Sequence, residues 1–179
     1  MRTVPKKAIW ITLIAAMQLL IFANVAASQE LGERYEEKRF GVSMQMPLGW
    51  TLGPVESDGG RSYFGPAAKD GTKANVNFQK EKAHSDLGPY VTAAMLAASK
   101  ENKDLTVVSW TELKTASKIP CIRIISIATI QGFPLQFNQY FFTGTGDDKF
   151  TVTFTAYEKD KTTNDKIFDL SAATFSLMK

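Results

Sequence analysis

The chain is poor in the residues from which reactive or cross-linked sites are built. It has one cysteine, Cys121, and one histidine, His84, in 179 residues. A single cysteine allows no internal disulfide, so the fold must be held by burial alone. Structural zinc takes four His or Cys ligands, and one of each, far apart in sequence, does not supply them. Gly-x-Ser-x-Gly, the strained turn that presents a nucleophilic serine, is absent. Asp147-Asp148 lacks the spaced acids of a calcium loop. Gly144-x-Gly146 lies between strand-like runs rather than before a helix, which excludes a phosphate cradle. A Cys121–His84 hydrolase would need the two side chains in contact and a depressed thiol pKa, and nothing in the sequence orients that pair. These residues lead us to expect no catalytic, cofactor-binding or metal set.

The chain also has little charge of one sign once its first residues are set aside. Met1 to Lys7 holds three cations and no acid, and an apolar run from Ala8 to Phe22 follows, broken only by Thr12 and Gln18. Val25-Ala26-Ala27-Ser28 supplies small residues. This is the order of a secretory signal, with cleavage after Ala27 or Ser28. A retained anchor is the alternative, since about 20 apolar residues span a bilayer. Both readings place the remainder outside the cytoplasm, periplasmic or extracellular. The whole chain has 21 basic and 18 acidic residues. Arg2, Lys6 and Lys7 fall within 1–28 and no acid does, so the remainder has 18 of each. A domain without a basic excess is no nucleic-acid binder by charge. A membrane contact is expected only if the N-terminal segment stays as an anchor.

What remains suits one domain with one core. We divide the chain into a signal (1–28), a polar lead-in (29–39) and a domain (40–179). Phe40 to Met46 alternates as a half-buried strand, with Pro47 ending it. Trp50 to Leu52 starts the next. Ser57 to Gly60 and Lys69 to Thr72 read as turns, with a short strand at Arg61 to Gly65 between them. Ala74 to Gln79 alternates again. Asp86 to Asn102 reads as a helix capped by Ser85 or Asp86, with Pro89 in its first turn. Leu105 to Lys114 is a strand. Ile119 to Gln131, the most apolar run, reads as a central strand buried on both faces. Gly132-Phe133-Pro134 turns the chain into an aromatic strand ending at Thr143. Lys149 to Tyr157 alternates aromatic and threonine residues. A second helix is expected from about Thr163 to Leu177. The element order is α+β, with helices covering an antiparallel sheet.

The aromatic stretch holds the candidate binding residues. Phe133, Phe137, Tyr140, Phe141 and Phe142 occupy one strand, which can feed the core with one face and a groove with the other. We take Trp50, Trp110, Phe133, Phe137, Tyr140 and Phe142 as the candidate partner or ligand groove, suited to a hydrophobic peptide or apolar ligand.

Two segments carry a family resemblance. Phe40-Gly41-Val42-Ser43-Met44-Gln45-Met46-Pro47-Leu48-Gly49-Trp50 resembles the first strand of the PsbP-like and DcrB-like proteins, an aromatic-led strand followed by proline and tryptophan. Leu170-Ser171-Ala172-Ala173-Thr174-Phe175 resembles their last helix. The resemblance covers roughly Tyr35 to Leu177. It implies an α/β/α sandwich with a central antiparallel sheet flanked by helices, the Mog/PsbP-type fold. It further implies a binding or assembly protein rather than an enzyme, with an envelope protein or complex as partner. Members include extrinsic subunits of photosystem II, a periplasmic DcrB-type protein linked to phage sensitivity, a Ran-binding import factor and chaperones for secreted effectors. A carrier or chaperone with an aromatic groove is the alternative reading. Edman sequencing of the protein recovered from cells should begin at Ser28 or Gln29. A start at Met1 would instead identify the anchor.

Overall fold

The computed structural model describes residues 30–55, 61–68 and 71–179. The export segment, the expected turn at 57–60 and the first half of the turn at 69–72 lie outside the described residues. The chain folds as α+β, with strands in two antiparallel sheets and a helix on either face of the larger one.

The alternation read at the start of the domain builds β2 (Val42–Pro47), whose Val42, Met44 and Met46 are buried. Pro47 lies inside the strand rather than beyond it, opposite Leu31. The segment expected as a polar lead-in is also a strand, β1 (Leu31–Glu37), paired antiparallel with β2. Its charges obscured it. The buried Glu37 carboxylate accepts from the Tyr35 hydroxyl at 2.9 Å and from Arg39 Nε at 3.0 Å. A fully hydrogen-bonded charge can sit where an unpaired one could not. Tyr35 packs edge-on against Tyr63, with ring centres 4.9 Å apart. A short last strand, β10 (Ser176–Leu177), pairs with the other side of β2 and completes a three-stranded sheet.

The seven-stranded sheet contains β3 (Thr51–Leu52), β4 (Tyr63–Phe64), β5 (Asn75–Lys82), β6 (Thr106–Lys114), β7 (Pro120–Ile130), β8 (Phe133–Thr143) and β9 (Asp148–Tyr157). Their spatial order is β3-β4-β5-β9-β8-β7-β6. The most apolar strand, β7, is therefore not central but second from an edge. The centre is β9. Phe150, Val152, Phe154 and Ala156 are buried on one face, and Lys149, Thr151 and Thr153 on the other. Threonine is β-prone and tolerates such a half-covered face, so hydropathy alone misplaces the centre. The β7–β8 turn is also one step earlier than expected. Gln131 (φ 52°) and Gly132 (φ 83°) form the two-residue loop, both left-handed. That pattern belongs to the tight hairpin turn matching strand twist. Phe133 and Pro134 are consequently strand residues.

The first helix, α1 (Leu87–Glu101), starts after Asp86 and lays Leu87, Tyr90, Val91 and Met95 on Ile122, Ile124 and Phe141. The second, α2 (Lys161–Ala173), is preceded by a single 3₁₀ turn at Glu158–Asp160. It ends earlier than expected, because Ser176 and Leu177 turn back to pair with β2. Phe168 and Phe175 fill the space between α2, the small sheet and the large one. Phe168 stacks on Phe154 at 4.4 Å, and Phe175 on Phe142 at 3.9 Å. The end of α2 is tied to β2, where Gln45 N donates to Thr174 Oγ1 at 2.8 Å and Ser171 Oγ donates to the Gln45 carbonyl.

Phe168→Ala should cost about 3–5 kcal/mol in chemical denaturation. Phe133→Ala, at a site that is 51% exposed, should cost under about 0.5 kcal/mol. Cys121 adds a pH dependence. Burial, followed by the nearby Asp169 carboxylate, pushes its thiol up to about 12. Above the unfolded thiol's pKa, near 9, the unfolded chain loses a proton that the folded chain keeps. Stability is thus fully present below about pH 9 and falls by up to about 1.4 kcal/mol per pH unit from there to about pH 12. Denaturation midpoints of Cys121→Ala should fall less steeply than those of the unmodified chain between about pH 9 and 10, below the range in which buried tyrosines such as Tyr140 add a slope of the same sign.

Candidate interaction surface

Side chains alternate between the two faces of a strand, so the pairing register sorts the large sheet's residues into two sets. Cys121 lies opposite Phe142, Arg123 opposite Tyr140, and Tyr140 opposite Val152. That set faces α2 and the small sheet. Ile122 lies opposite Phe141, and Ile124 opposite Gln139 and Trp110. That set faces α1.

The six candidate aromatics divide between these faces. Tyr140 and Phe142 are buried on the α2 face. Trp50 is half-buried on the same side, edge-on to Phe154 (6.0 Å) and Phe168 (5.7 Å). These three are not brought together with the others. Trp110, Phe133 and Phe137 belong to the α1 face. The helix covers only the part of that face around Ile122, Ile124 and Phe141. Further along the strands, Phe137 lies opposite Ser126, Leu135 opposite Ala128 and Tyr157, and Phe133 opposite Ile130. Phe133 is 51% exposed, and Val107, Trp110 and Ile130 are 38–43% exposed. The ring of Phe133 meets that of Tyr157 edge-on at 5.9 Å. The result is an apolar half-face with no helix over it. Ile130, Leu135, Tyr157 and Val107 belong to it and were missed in sequence. Knowing the tight Gln131-Gly132 turn would have given the parity that unites them.

Beneath α2 runs a polar row. Tyr140 Oη donates to Asp169 Oδ1 at 2.7 Å, Arg123 Nη1 donates to Asp169 Oδ2, and Gln136 Nε2 donates to Asp165 Oδ1. Burial and the Asp169 carboxylate hold the Tyr140 phenol well above its ordinary range. Between them Asn138 is fully buried, with neither amide atom partnered. The row fixes the seat of α2. Cys121 is buried on the same face, and that burial raises its thiol pKa. His84 projects into solvent from its loop, beside Asp147 at 2.8 Å. Among the described residues no group of three His, Cys, Asp or Glu is placed to hold a metal ion.

The open edge of the large sheet lies beside the half-face. Strand β6 is nine residues long and mostly exposed, while the opposite edge, β3, has two residues. Two hollows flank the same end of β6. One, of about 310 Å³, lies between Leu113, Cys121, Tyr140 and Ala172 on the α2 side. The other, of about 530 Å³, lies between Leu87, Glu112, Lys114 and Ile122. A third, of about 230 Å³, lies apart from both, beside Trp50. No described helix is long and apolar enough to cross a membrane.

The sequence matches no protein-family model and no curated protein sequence. Solved structures do match. Cyanobacterial PsbP from Synechocystis superposes with a TM-score of 0.60 at 13% identity, over 81% of this chain and 91% of that one. LpqN of Mycobacterium tuberculosis, described as involved in cell envelope biogenesis, gives 0.59 at 11% identity, over 82% and 90%. The Ran-binding protein Mog1p of Saccharomyces cerevisiae gives 0.58 at 9% identity, over 82% and 95%. At such identities the likeness is one of fold, and the chain has the PsbP/Mog fold.

Proposed function

We propose that the chain is an exported, non-catalytic binding or assembly protein of the cell envelope, and that it holds its partner on the uncovered apolar half-face. The observation that carries this reading is the cluster of Phe133, Ile130, Phe137, Leu135, Tyr157 and Val107 on one side of the sheet, beyond the reach of α1. Solitary exposed apolar residues are ordinary, but a contiguous patch marks an interaction site. Large aromatics at the centre of such a patch supply most of the energy of a protein interface. Neither Cys121, buried on the α2 face, nor His84, exposed on its loop beside Asp147, belongs to the half-face. The envelope assignment draws on the N-terminal signal pattern and on the description of LpqN, the protein partner on Mog1p, described as Ran-binding.

The full chain, expressed with its own leader and crosslinked in cells, should co-purify with one stoichiometric envelope protein. Phe133→Asp combined with Ile130→Lys, which sets opposite charges across the hairpin, should abolish recovery with the denaturation midpoint little changed. Failure to recover a partner, even under crosslinking, would sink the reading. Native mass spectrometry showing a bound apolar small molecule instead would move the assignment to a carrier.

A further inference from the structure

The polar row beneath α2 leaves one cation short of acceptors. Arg123 uses a single nitrogen, Nη1, on Asp169. Its Nε is closed off from solvent and has no partner, and its Nη2 makes no hydrogen bond with another described residue. Asp169 is the reverse case, because both of its oxygens already accept, one from Tyr140 and one from Arg123. An unpaired donor on a buried guanidinium is rare in a native fold, and an absent ligand or water is an ordinary reason for it.

Arg123 lines the hollow of about 310 Å³ between the end of β6 and α2. Its side chain is 19% exposed, so the guanidinium is not sealed in. Leu113, Cys121 and Ala172 give the same hollow apolar walls. Its ionisable lining is two cations, Arg123 and Lys114, against one acid, Asp169, with Cys121 and Tyr140 protonated. Asp165, one turn earlier on α2, is tied to Gln136. Small-molecule sites are concave and mostly apolar, with a few polar groups that fix the ligand's orientation, and run from about 300 to 1,000 Å³.

We propose that this hollow binds a monocarboxylate with a short aliphatic chain, its head on the free nitrogens of Arg123 and its chain against Leu113 and Ala172. Donors without acceptors select an acceptor head. The excess cation selects an anion, and a planar guanidinium matches a carboxylate better than it matches a hydroxyl. The walls select hydrocarbon, and a volume at the low end of the range keeps the chain short. Such a carboxylate ends either a free aliphatic acid or an apolar peptide. The hollow lies on the opposite face of the sheet from the half-face, so this proposal and the partner reading stand or fall separately.

The test is calorimetric titration of the purified chain with octanoate and with N-acetyl-leucyl-leucine, against octanol, octylamine and acetate. One of the two chain-bearing carboxylates should bind once per chain, about tenfold or more tighter than the alcohol, the amine or acetate. The tighter of the two identifies the source of the carboxylate. Arg123→Met and Leu113→Trp should each weaken that binding about tenfold or more, the first by removing the donors and the second by filling the hollow. Arg123 also seats α2, whereas Leu113 is 40% exposed. Leu113→Trp, with an unchanged thermal midpoint, therefore decides the matter if Arg123→Met does not fold. No saturable binding of either carboxylate overturns the proposal. So does equal affinity for the alcohol, the amine or acetate, or binding that Leu113→Trp leaves unchanged.

Discussion

Phe154 and Phe168 stack 4.4 Å apart, and Trp50 closes edge-on over both. Most of the structure depends on this contact between the central strand and the last helix. It seats α2 on the large sheet, and α2 in turn holds β2 through Ser171 and Thr174. The small sheet has no independent core; Val42, Met44 and Met46 are buried only because α2 and the large sheet enclose them. Hydrophobic burial of this kind must supply the cohesion that disulfides provide in many small secreted domains.

The uncovered half-face and the core are two products of one alternation. Strand β8 sends Tyr140 and Phe142 to the α2 face, and Phe133, Leu135, Phe137 and Phe141 to the other. Only Phe141 among the second set meets α1, edge-on to Tyr90. The helix is one short cylinder over a broad sheet, so it cannot cover the remainder. The other face is used differently: Tyr140, Arg123 and Gln136 are spent on seating α2 through Asp169 and Asp165.

Much of the fold was legible in the sequence. Period-two alternation located β2, β5 and β9, and the apolar spacing of 86–102 located α1, although Asp86 at its start makes no side-chain capping bond. What failed did so for physical reasons. Leu31–Glu37 looked like a lead-in because its charges mask an edge strand whose buried acid is satisfied locally. Ile119 to Gln131 looked central because apolarity reports cover on a strand's faces, not its rank in the sheet. The last helix looked longer because Phe175 keeps the apolar spacing while Ser176 has left the helix. The candidate surface was half legible. The aromatic strand stood out, but its division into two faces depended on a turn placed one residue too late.

The pairing pattern also bears on how the chain reaches this state. Strand β2 takes a partner from the last residues, with Leu177 opposite Val42 and Met178 N donating to the Gly41 carbonyl at 2.8 Å. Strand β5 finds its long partner in β9, about half the domain later. Neither early strand can be completed until almost the whole chain has been made. Such non-local pairing is slow to close and leaves strand edges open in the meantime. An emerging chain with this topology can complete neither sheet until its last strands have been made.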